Sequence, residues 1–357
     1  MKKSCCFLFF LFICLQPCSS LAEKRVKGTI DRDTRWSEES SPYIITGDLI
    51  ISPRARLVIM PGTEIIVEKQ TDGDISSPHF DKTDSSLISI RVNGALSCVG
   101  RKNKPVIFRS SKPGLAEFTW RGIILDKAVD QFTDIAHTQI SGATTALTIN
   151  SCSPIIRNNL FENNNIAIHC MQSGSPQIHN NLIVRNFAAG IRVEHCNPEI
   201  SNNIIAFNTN LGLWCDNISK VQFTFNCIYG NRDGDLFDCN PELGILTKEN
   251  KNRDSTDRYG NIYMDPVFSG SRAEARAVEL DVNLPTDKKK VKDPRLMKIV
   301  HSGKKSALPP KAASKTWSEE RYNLSEYSPC LNAGDPSKKF KNSDGGRNTM
   351  GIEGGPK

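Results

Sequence analysis

The 357-residue sequence lacks several features that would assign it to a common class. It has no apolar run of the roughly 20 residues that a membrane span needs; the run near its start has 11 residues, 5 to 15. It has no long stretch with a 3.6-residue apolar period, which excludes the common helical repeats. The nucleophile elbow, phosphate loop, dinucleotide fingerprint and paired CxxC motif are all missing, which excludes the enzyme classes and zinc sites that those motifs define.

Strong charge of one sign is also missing. The formal net charge of +7 is only mildly basic for a chain of this length and predicts no nucleic-acid partner. The excess is concentrated in residues 271–325, where 13 Lys and Arg stand against 7 Asp and Glu. Pro, Ser and Lys without apolar periodicity predict a flexible basic insert over 270–325. Such an insert could attract a polysaccharide or another anionic surface ligand, or it could be a solvated linker with no partner.

The N-terminal residues have the pattern of an export signal. Two lysines precede the short apolar run, and "CSSLAE" supplies small residues at a cleavage site. This predicts a signal peptide over 1–22, cleaved near Ala22, and a secreted, periplasmic or cell-surface protein. Lipidation at Cys18 is the alternative, disfavoured because Pro17 is a poor residue before a lipid-bearing cysteine. No later segment is predicted to cross a membrane.

A 22-residue repeat dominates the centre of the chain. The segments "SPIIRNNLFENN", "SPQIHNNLIVRN" and "NPEISNNIIAFN" begin at 153, 175 and 197. Aligned at this period, they superimpose one proline, one Asn–Asn pair and one later Asn in every copy. A looser fourth copy, "FNCIYGNRDGDLFDC", follows one residue late. The short apolar pieces between these positions are rich in β-branched residues and bounded by Asn, Gly, Ser or Pro, which is typical of strands and turns.

A period this short, made of strands, leaves two candidate folds. A leucine-rich repeat needs leucines at set spacings before a single Asn, and "PxIxNNxI" does not supply them. One turn of a β-solenoid fits, because successive coils then stack about 4.8 Å apart through parallel ladders. The sequence therefore predicts an all-β solenoid with coils of about 22 residues.

Stacking explains why the asparagines repeat. An Asn side chain lies over the Asn of the next coil, and its amide can donate and accept along the stack. We predict structural ladders at the two Asn columns: Asn159, Asn181, Asn203 and Asn226, and Asn164, Asn186, Asn208 and Asn231.

The same stacking constrains the eight cysteines that follow the signal. Cys152 and Cys196 share a column two coils apart, roughly 9.6 Å, which is too far for a disulfide. Cys215 and Cys239 are column-mates in adjacent coils and close enough to bond. The alternative is that the cysteines are small apolar fillers.

Several segments resemble one family. "SPYIITGDLIISPRARLVIMPGTEIIVE" (41–68), the "PxIxNNxI" coils, "GNIYMDPVF" (260–268) and "SPCLNAGDPSKKFKNSDGGRNTMGIEGG" (328–355) resemble secreted bacterial right-handed parallel β-helix proteins of the pectin-lyase-like superfamily. The resemblance implies a right-handed parallel β-helix over 23–269 and a C-terminal capping segment over 326–357. Similar scaffolds serve enzymes, adhesins and accessory proteins, so the fold does not fix the function.

The sequence therefore leaves three possible functions open. The first is a non-catalytic glycan-binding or cell-surface structural protein. The second is a carbohydrate-active enzyme, a lyase, hydrolase or epimerase, acting on an acidic polysaccharide. The third is a periplasmic accessory protein of metal maturation. No catalytic residue is assigned, because the outward columns of the regular coils carry no ladder of carboxylates.

Two sets of candidate site residues are predicted. Trp214, Arg157, His179 and Arg192 are candidates for ligand binding on outward positions, with Trp214 able to stack on a sugar ring. Asp233, Asp235 and Asp238 could hold Ca²⁺, since "DGD" places two carboxylates around a Gly turn. The alternative for these aspartates is an ordinary turn, and no cofactor is required by the sequence.

Overall fold

The computed structural model describes residues 23–69, 87–112, 118–269 and 322–356. The predicted signal peptide, with Cys18, and residues 270–321 of the basic insert lie outside the described residues. Within the described part the chain winds into a solenoid of three parallel walls, and each regular coil contributes one strand to each wall. The prediction of an all-β solenoid is confirmed.

Wall 1 is the parallel sheet on which the candidate site lies. Numbered in chain order, its strands are β6 (Ser89–Val92), β9 (Gly122–Asp126), β12 (Thr145–Asn150), β15 (Ile166–Met171), β18 (Ala189–Glu194), β21 (Leu211–Cys215) and β24 (Gly234–Phe237).

Wall 2 follows wall 1 along each coil. It contains β2 (Thr34–Trp36), β4 (Arg56–Ile59), β7 (Ala95–Val99), β10 (Asp134–Ala136), β13 (Ile155–Arg157), β16 (Gln177–His179), β19 (Glu199–Ser201) and β22 (Gln222–Thr224).

Wall 3 completes the coil. It contains β5 (Glu64–Val67), β8 (Val106–Ser110), β11 (Thr138–Ile140), β14 (Leu160–Glu162), β17 (Leu182–Val184), β20 (Ile204–Ala206) and β23 (Cys227–Tyr229). Single 3-10 turns occur at Glu38–Ser40, Asp130–Phe132 and Lys338–Phe340.

The interior is filled by columns of apolar side chains. Alternation along each strand sends every second residue inward, and the parallel register places like residues over one another. One column from each wall shows this: Ile156, Ile178 and Ile200 on wall 2; Phe161, Ile183 and Ile205 on wall 3; Ile168, Ile191 and Leu213 on wall 1. All of these side chains are fully buried. Each contributes about 2–3 kcal/mol of hydrophobic stabilisation by the area rule.

The first Asn ladder runs along the bend between walls 2 and 3. The amide Oδ1 of each Asn accepts a hydrogen bond from the side-chain Nδ2 of the Asn one coil earlier, at 2.9 Å for Asn159 to Asn181 and 3.0 Å for Asn181 to Asn203. The same oxygen accepts from the backbone N–H of that earlier Asn. Asn226 continues the ladder to Asn261, which donates to the carboxylate of Asp257.

The second ladder runs along the bend between walls 3 and 1. Nδ2 of Asn164 donates to Asn186 at 3.1 Å, and Asn186 donates to Asn208 at 3.0 Å. Asn208 donates to Asn231, and Asn231 donates to the carboxylate of Asp235 at 2.7 Å. Both ladders therefore end on a buried aspartate, because the last donors have no further coil to supply an acceptor.

The two ends of the solenoid are covered differently. At the N-terminal end, β1 (Lys24–Ile30) pairs in parallel with β3 (Tyr43–Ile51), and β3 itself bridges β5 of wall 3 and β6 of wall 1. At the other end, the antiparallel pair β25 (Leu246–Glu249) and β26 (Ser255–Asp257) leads into residues 261–262. Ile262 exchanges backbone hydrogen bonds with the last coil, so this region closes the stack.

The C-terminal segment, residues 322–356, lies along the side of wall 3. Tyr322, Cys330, Ala333 and Met350 pack on the outward side chains of wall 3 and bury them. This differs from the end cap expected from the sequence, because the last coil is already closed by residues 255–262. The covering segment fits here because the outward residues of β14, β17 and β20 are largely apolar.

The first Asn of each Asn–Asn pair holds the covering segment. Asn158, Asn180 and Asn202 all adopt left-handed backbone angles, with φ of 54°, 54° and 59°, a conformation that Asn tolerates better than most residues. Nδ2 of Asn158 donates to the carbonyl of Gly354 at 2.8 Å, and Nδ2 of Asn180 donates to Thr349 at 2.9 Å. The two asparagines of a pair thus have different partners: one bends the chain and binds the covering segment, and the other forms the ladder.

Candidate ligand-binding face

A column of partly exposed residues runs across the outer face of wall 1. His169, Arg192, Trp214 and Phe237 occupy matching positions in β15, β18, β21 and β24. Their neighbours in each strand point into the core, so alternation sends these four side chains outward. We call this column, together with Glu194, the wall 1 face.

Glu194 joins the polar half of this face. Its carboxylate accepts a hydrogen bond from Arg192 Nη2 at 2.6 Å and lies 2.7 Å from His169 Nε2. Burial raises the pKa of Glu194, but the hydrogen bonds from Arg192 and His169 outweigh it, so the pKa is lowered and the group is ionised at neutral pH. Burial lowers the pKa of His169 despite the opposing Glu194, so a neutral imidazole donates from Nε2.

The aromatic half of the face begins at Arg192. The Arg192 guanidinium lies 4.3 Å from the centroid of the Trp214 ring, and Trp214 meets Phe237 edge-to-face at 5.9 Å. A cation over an indole ring contributes roughly 0.5–1 kcal/mol at a partly exposed site. Glu194 and Trp214 therefore hold the Arg192 side chain from two sides, and the face is preorganised.

The structure divides the four predicted ligand residues between two walls. Trp214 and Arg192 are in contact on wall 1, whereas Arg157 and His179 lie in register on wall 2. Arg157 forms an ion pair with Asp134 at 3.0 Å.

His179 is a correction to the sequence-based prediction. Its side chain is buried beneath the covering segment, with its ring 5.3 Å from that of Phe340. Burial, followed by the charges of Arg157 and Lys339, lowers its pKa to about 4. His179 is therefore a packed neutral imidazole and is not exposed to a ligand. The prediction failed because nothing in the repeat shows that a distant segment covers this position.

The predicted calcium site is also corrected. Among residues 23–69, 87–112, 118–269 and 322–356, no three His, Cys, Asp or Glu side chains are arranged to hold a metal ion. Asp235 is buried and accepts from the backbone and the side chain of Asn231, so it terminates the second ladder. Asp233 and Asp238, with Asp235, therefore do not form a metal site in the described structure.

His169, Glu194 and Phe237 were missed at the sequence level. The sequence spacing could have revealed this column, because its members are separated by about one coil length. The intervals are 23 residues from His169 to Arg192, 22 from Arg192 to Trp214 and 23 from Trp214 to Phe237. Extending the repeat alignment through the strands of wall 1 would have placed them in one column. Glu194 follows Arg192 by two residues, on the same side of the strand.

A separate small cleft lies where the covering segment meets the corner of walls 2 and 3. Lys102, His137, Gln139 and Glu353 are among the residues that line it, and Oε1 of the buried Gln139 has no hydrogen-bond partner. Its volume of about 20 Å³ leaves room for roughly one water molecule. A sugar ring does not fit there, so the wall 1 face is the better candidate for a ligand.

Comparison with known families agrees with the geometry. Residues 116–248 match the family model described as a right handed beta helix region. The protein is a right-handed parallel β-helix. The matched residues include the regular coils and the whole wall 1 face of this β-helix. No curated protein and no solved structure matches the chain.

The helices of the described structure are relevant to the prediction that no later segment crosses a membrane. Across the described ranges, none of the helices has the length and apolar character needed for a membrane crossing. The helical turns of the β-helix contain three residues each.

Proposed function

We propose that the protein is exported and binds a glycan along the wall 1 face without cleaving it. The observation that carries the proposal is the contact between Arg192 and Trp214, 4.3 Å from guanidinium to ring, beside the ionised Glu194. Export is supported by residues 1–22, which have the pattern of a signal peptide. The β-helix fold alone does not indicate one function, because similar scaffolds serve many.

The chemistry of the face suits a sugar. A pyranose ring has an apolar C–H surface and a rim of hydroxyl groups. Trp214 and Phe237 supply aromatic surface, while Glu194 and Arg192 supply an acceptor and donors beside it. Successive coils each contribute one side chain to this surface, so a polymer that runs along the stack can contact several coils at once.

A lyase-like enzyme is the second candidate, and one observation favours it. His169 is neutral and donates from Nε2 to Glu194 at 2.7 Å, which leaves Nδ1 as the nitrogen that can accept a proton. Arg192 beside it could stabilise the negative charge that develops on an acidic sugar. In this case the face would cleave as well as bind.

The test is binding of the purified protein to a panel of acidic and neutral polysaccharides, with and without Ca²⁺, by affinity electrophoresis. We expect retention by at least one polysaccharide and about tenfold weaker retention for Trp214→Ala, the loss of one stacking contact. Phe132→Ala is the matched control, because Phe132 also contacts an arginine, Arg56 at 5.4 Å, but lies away from the wall 1 face. Retention by no polysaccharide, or equal retention of the two variants, contradicts the proposal.

Product analysis in the same incubations separates the two candidates. If new unsaturated-bond absorbance or new reducing ends appear, and if they are lost in His169→Ala, the result supports the enzyme and contradicts a binder that does not cleave its ligand. Retention without new products supports the binder. N-terminal sequencing of the protein recovered outside the cytoplasm tests export, and a chain that starts at Met1 would contradict cleavage near Ala22.

A further inference from the structure

Six of the eight cysteines in the described residues are arranged as three thiol pairs. All eight are free thiols here. The sulfurs of Cys215 and Cys239 are 3.1 Å apart. The thiol of Cys170 interacts with that of Cys196, and the thiol of Cys227 interacts with that of Cys330, which belongs to the same buried cluster.

We propose that these pairs are disulfide sites, with the pairing Cys170–Cys196, Cys215–Cys239 and Cys227–Cys330. A disulfide has an S–S bond of about 2.05 Å, so the Cys215 and Cys239 sulfurs need to approach by only about 1 Å. This pairing is independent of the glycan-binding proposal, because none of the six cysteines belongs to the wall 1 face.

Two of the pairs join consecutive coils. Cys170 and Cys215 point inward from wall 1, in β15 and β21, and each meets a cysteine from the turn that follows the next wall 1 strand. Cys196 follows β18, and Cys239 follows β24. A bond in either pair would tie one coil to its successor beside the apolar core.

The third pair joins the covering segment to the solenoid. Cys227 lies in β23 on wall 3, and Cys330 packs against it from the covering segment, with both side chains fully buried. Because these residues are 103 positions apart, their bond would close a long chain loop. Long loops lose the most unfolded-state entropy on cross-linking, so this bond should contribute the most stability.

The remaining two cysteines have other contacts. Cys98 lies 3.3 Å from the Thr138 hydroxyl, and the Cys152 thiol donates to the carbonyl of Leu125 at 3.6 Å. Cys152 also interacts electrostatically with Cys170 and Cys196, which makes it the alternative partner that a pairing experiment must separate.

Each bond forms by exchange with a disulfide oxidant. One cysteine thiolate attacks the oxidant's S–S bond, giving a mixed disulfide and releasing one oxidant thiol. The second cysteine thiolate attacks that mixed disulfide and releases the other oxidant thiol. The two cysteines lose two electrons and two protons, and the oxidant gains both as it becomes two thiols.

Burial sets the order of these events. Cys239 is partly exposed, so its pair can react in the folded protein. Cys227 and Cys330 are inaccessible once the covering segment has docked, and the interaction with Cys330, together with burial, raises the pKa of Cys227 and suppresses its thiolate. Their bond therefore forms before or during docking.

The pairing is tested on the exported chain, which by the proposed cleavage near Ala22 lacks Cys5, Cys6, Cys14 and Cys18. The protein is unfolded with reductant, refolded with a reduced and oxidised glutathione couple, alkylated, digested and mapped by mass spectrometry. We expect three cross-linked peptide pairs with the proposed pairing, and alkylated Cys98 and Cys152. Alkylation of all eight cysteines, or a link that includes Cys152, overturns the proposal.

A variant tests the third bond separately. Cys330→Ser should lower the Tm of the oxidised protein by about 10 °C, and reductant should lower the wild-type Tm by at least as much. Cys98→Ser, which replaces a buried thiol without a thiol partner, should keep the difference between oxidised and reduced protein. An equal wild-type Tm with and without reductant overturns the proposal. If Cys330→Ser does not fold, the peptide map of the wild type still decides.

Discussion

At the scale of single residues, each Asn–Asn pair combines two requirements that one residue could not meet. The ladder position needs a buried amide that both donates and accepts, as Asn181 does toward Asn203 and Asn159. The preceding position needs a left-handed backbone and a donor for the covering segment, as Asn180 provides. Asn serves at both positions for different physical reasons.

Removing one ladder amide should be costly. Asn181→Ala leaves the backbone N–H and the Nδ2 of Asn159 without their acceptor in a fully buried site. Unsatisfied buried donors cost about 1–3 kcal/mol each, so we expect a loss of about 3 kcal/mol or more in the free energy of unfolding. Urea denaturation measures it, with Asn217→Ala at an exposed position as the control. Equal stability of the two variants would contradict a structural role for the ladder.

His179 should make stability depend on pH. Its folded-state pKa of about 4 is below the usual 6.5, so the unfolded chain binds the extra proton first. The stabilisation is present above pH 6.5 and is lost as the pH falls toward 4, by about 3 kcal/mol for this residue.

The variant that tests this is His179→Gln, which removes the titrating group. Its unfolding free energy should fall less between pH 7 and 4 than that of the wild type. Ser201→Ala changes the next residue of the same column without removing a titrating group, so it should keep the wild-type slope. Parallel pH profiles for His179→Gln and wild type would show that burial of this imidazole has no such effect.

Residue spacing predicted some positions and could not predict others. The columns of Asn, Ile and Phe follow from the 22-residue period, because stacking places like residues together. The burial of His179 and the use of Asp235 as a ladder end do not follow from it. Both depend on parts of the chain outside the repeat: Phe340 covers one, and the end of the stack defines the other.

At the scale of elements, the covering segment depends on close approach to wall 3. Gly351 has φ of +80°, and a Cβ there would lie 2.7 Å from the Ile204 side chain. Gly345 has nearly the same φ, +81°, but a Cβ there would meet nothing within 4 Å. Substituting alanine at each of the two glycines therefore distinguishes the cost of backbone strain, which both share, from the cost of a packing clash, which only Gly351 has.

Gly351→Ala should therefore destabilise the protein more than Gly345→Ala. The backbone conformation alone costs about 1–2 kcal/mol in each variant, and the contact with Ile204 adds to the first. Limited proteolysis should cut residues 322–356 faster in Gly351→Ala, and thermal unfolding should give the lower Tm. Equal effects would mean that the segment can move away from wall 3 without cost.

The strands were easier to predict than the elements that cover them. Short β-branched pieces bounded by Asn, Gly and Pro predicted the walls, because that pattern recurs in every coil. The covering segment contains no repeated spacing, and its fit depends on an outward row of wall 3. Leu182, Val184 and Ile204 form this apolar row, which the periodicity alone did not distinguish from an exposed one.

At the scale of the whole molecule, one wall of the β-helix is covered while wall 1 keeps a partly exposed face. Ending the chain after residue 269 would expose the apolar side chains of wall 3: Leu160, Leu182, Val184, Ile204 and Ala206. A contiguous apolar surface of this kind promotes association in water.

The truncated chain should therefore self-associate, whereas the full chain should not do so through this wall. Sedimentation velocity at several concentrations measures it, and Leu182→Lys in the truncated chain should reduce the association. A monodisperse truncated chain with an unchanged Tm would show that the segment is not needed to cover the wall.

The ladders also give the β-helix a head and a tail. Each amide oxygen faces the preceding coil. The first amide oxygen of each ladder accepts a hydrogen bond from a backbone N–H, that of Thr138 or of Ala143. The last side-chain Nδ2 of each ladder donates to a carboxylate. The carboxylate of an aspartate has no N–H to donate, so it ends the series of side-chain hydrogen bonds, and an Asp in the middle would break that series. Such a molecule can therefore be lengthened by inserting whole coils between the first and last asparagines of its ladders, but not by adding coils beyond the aspartates that end them.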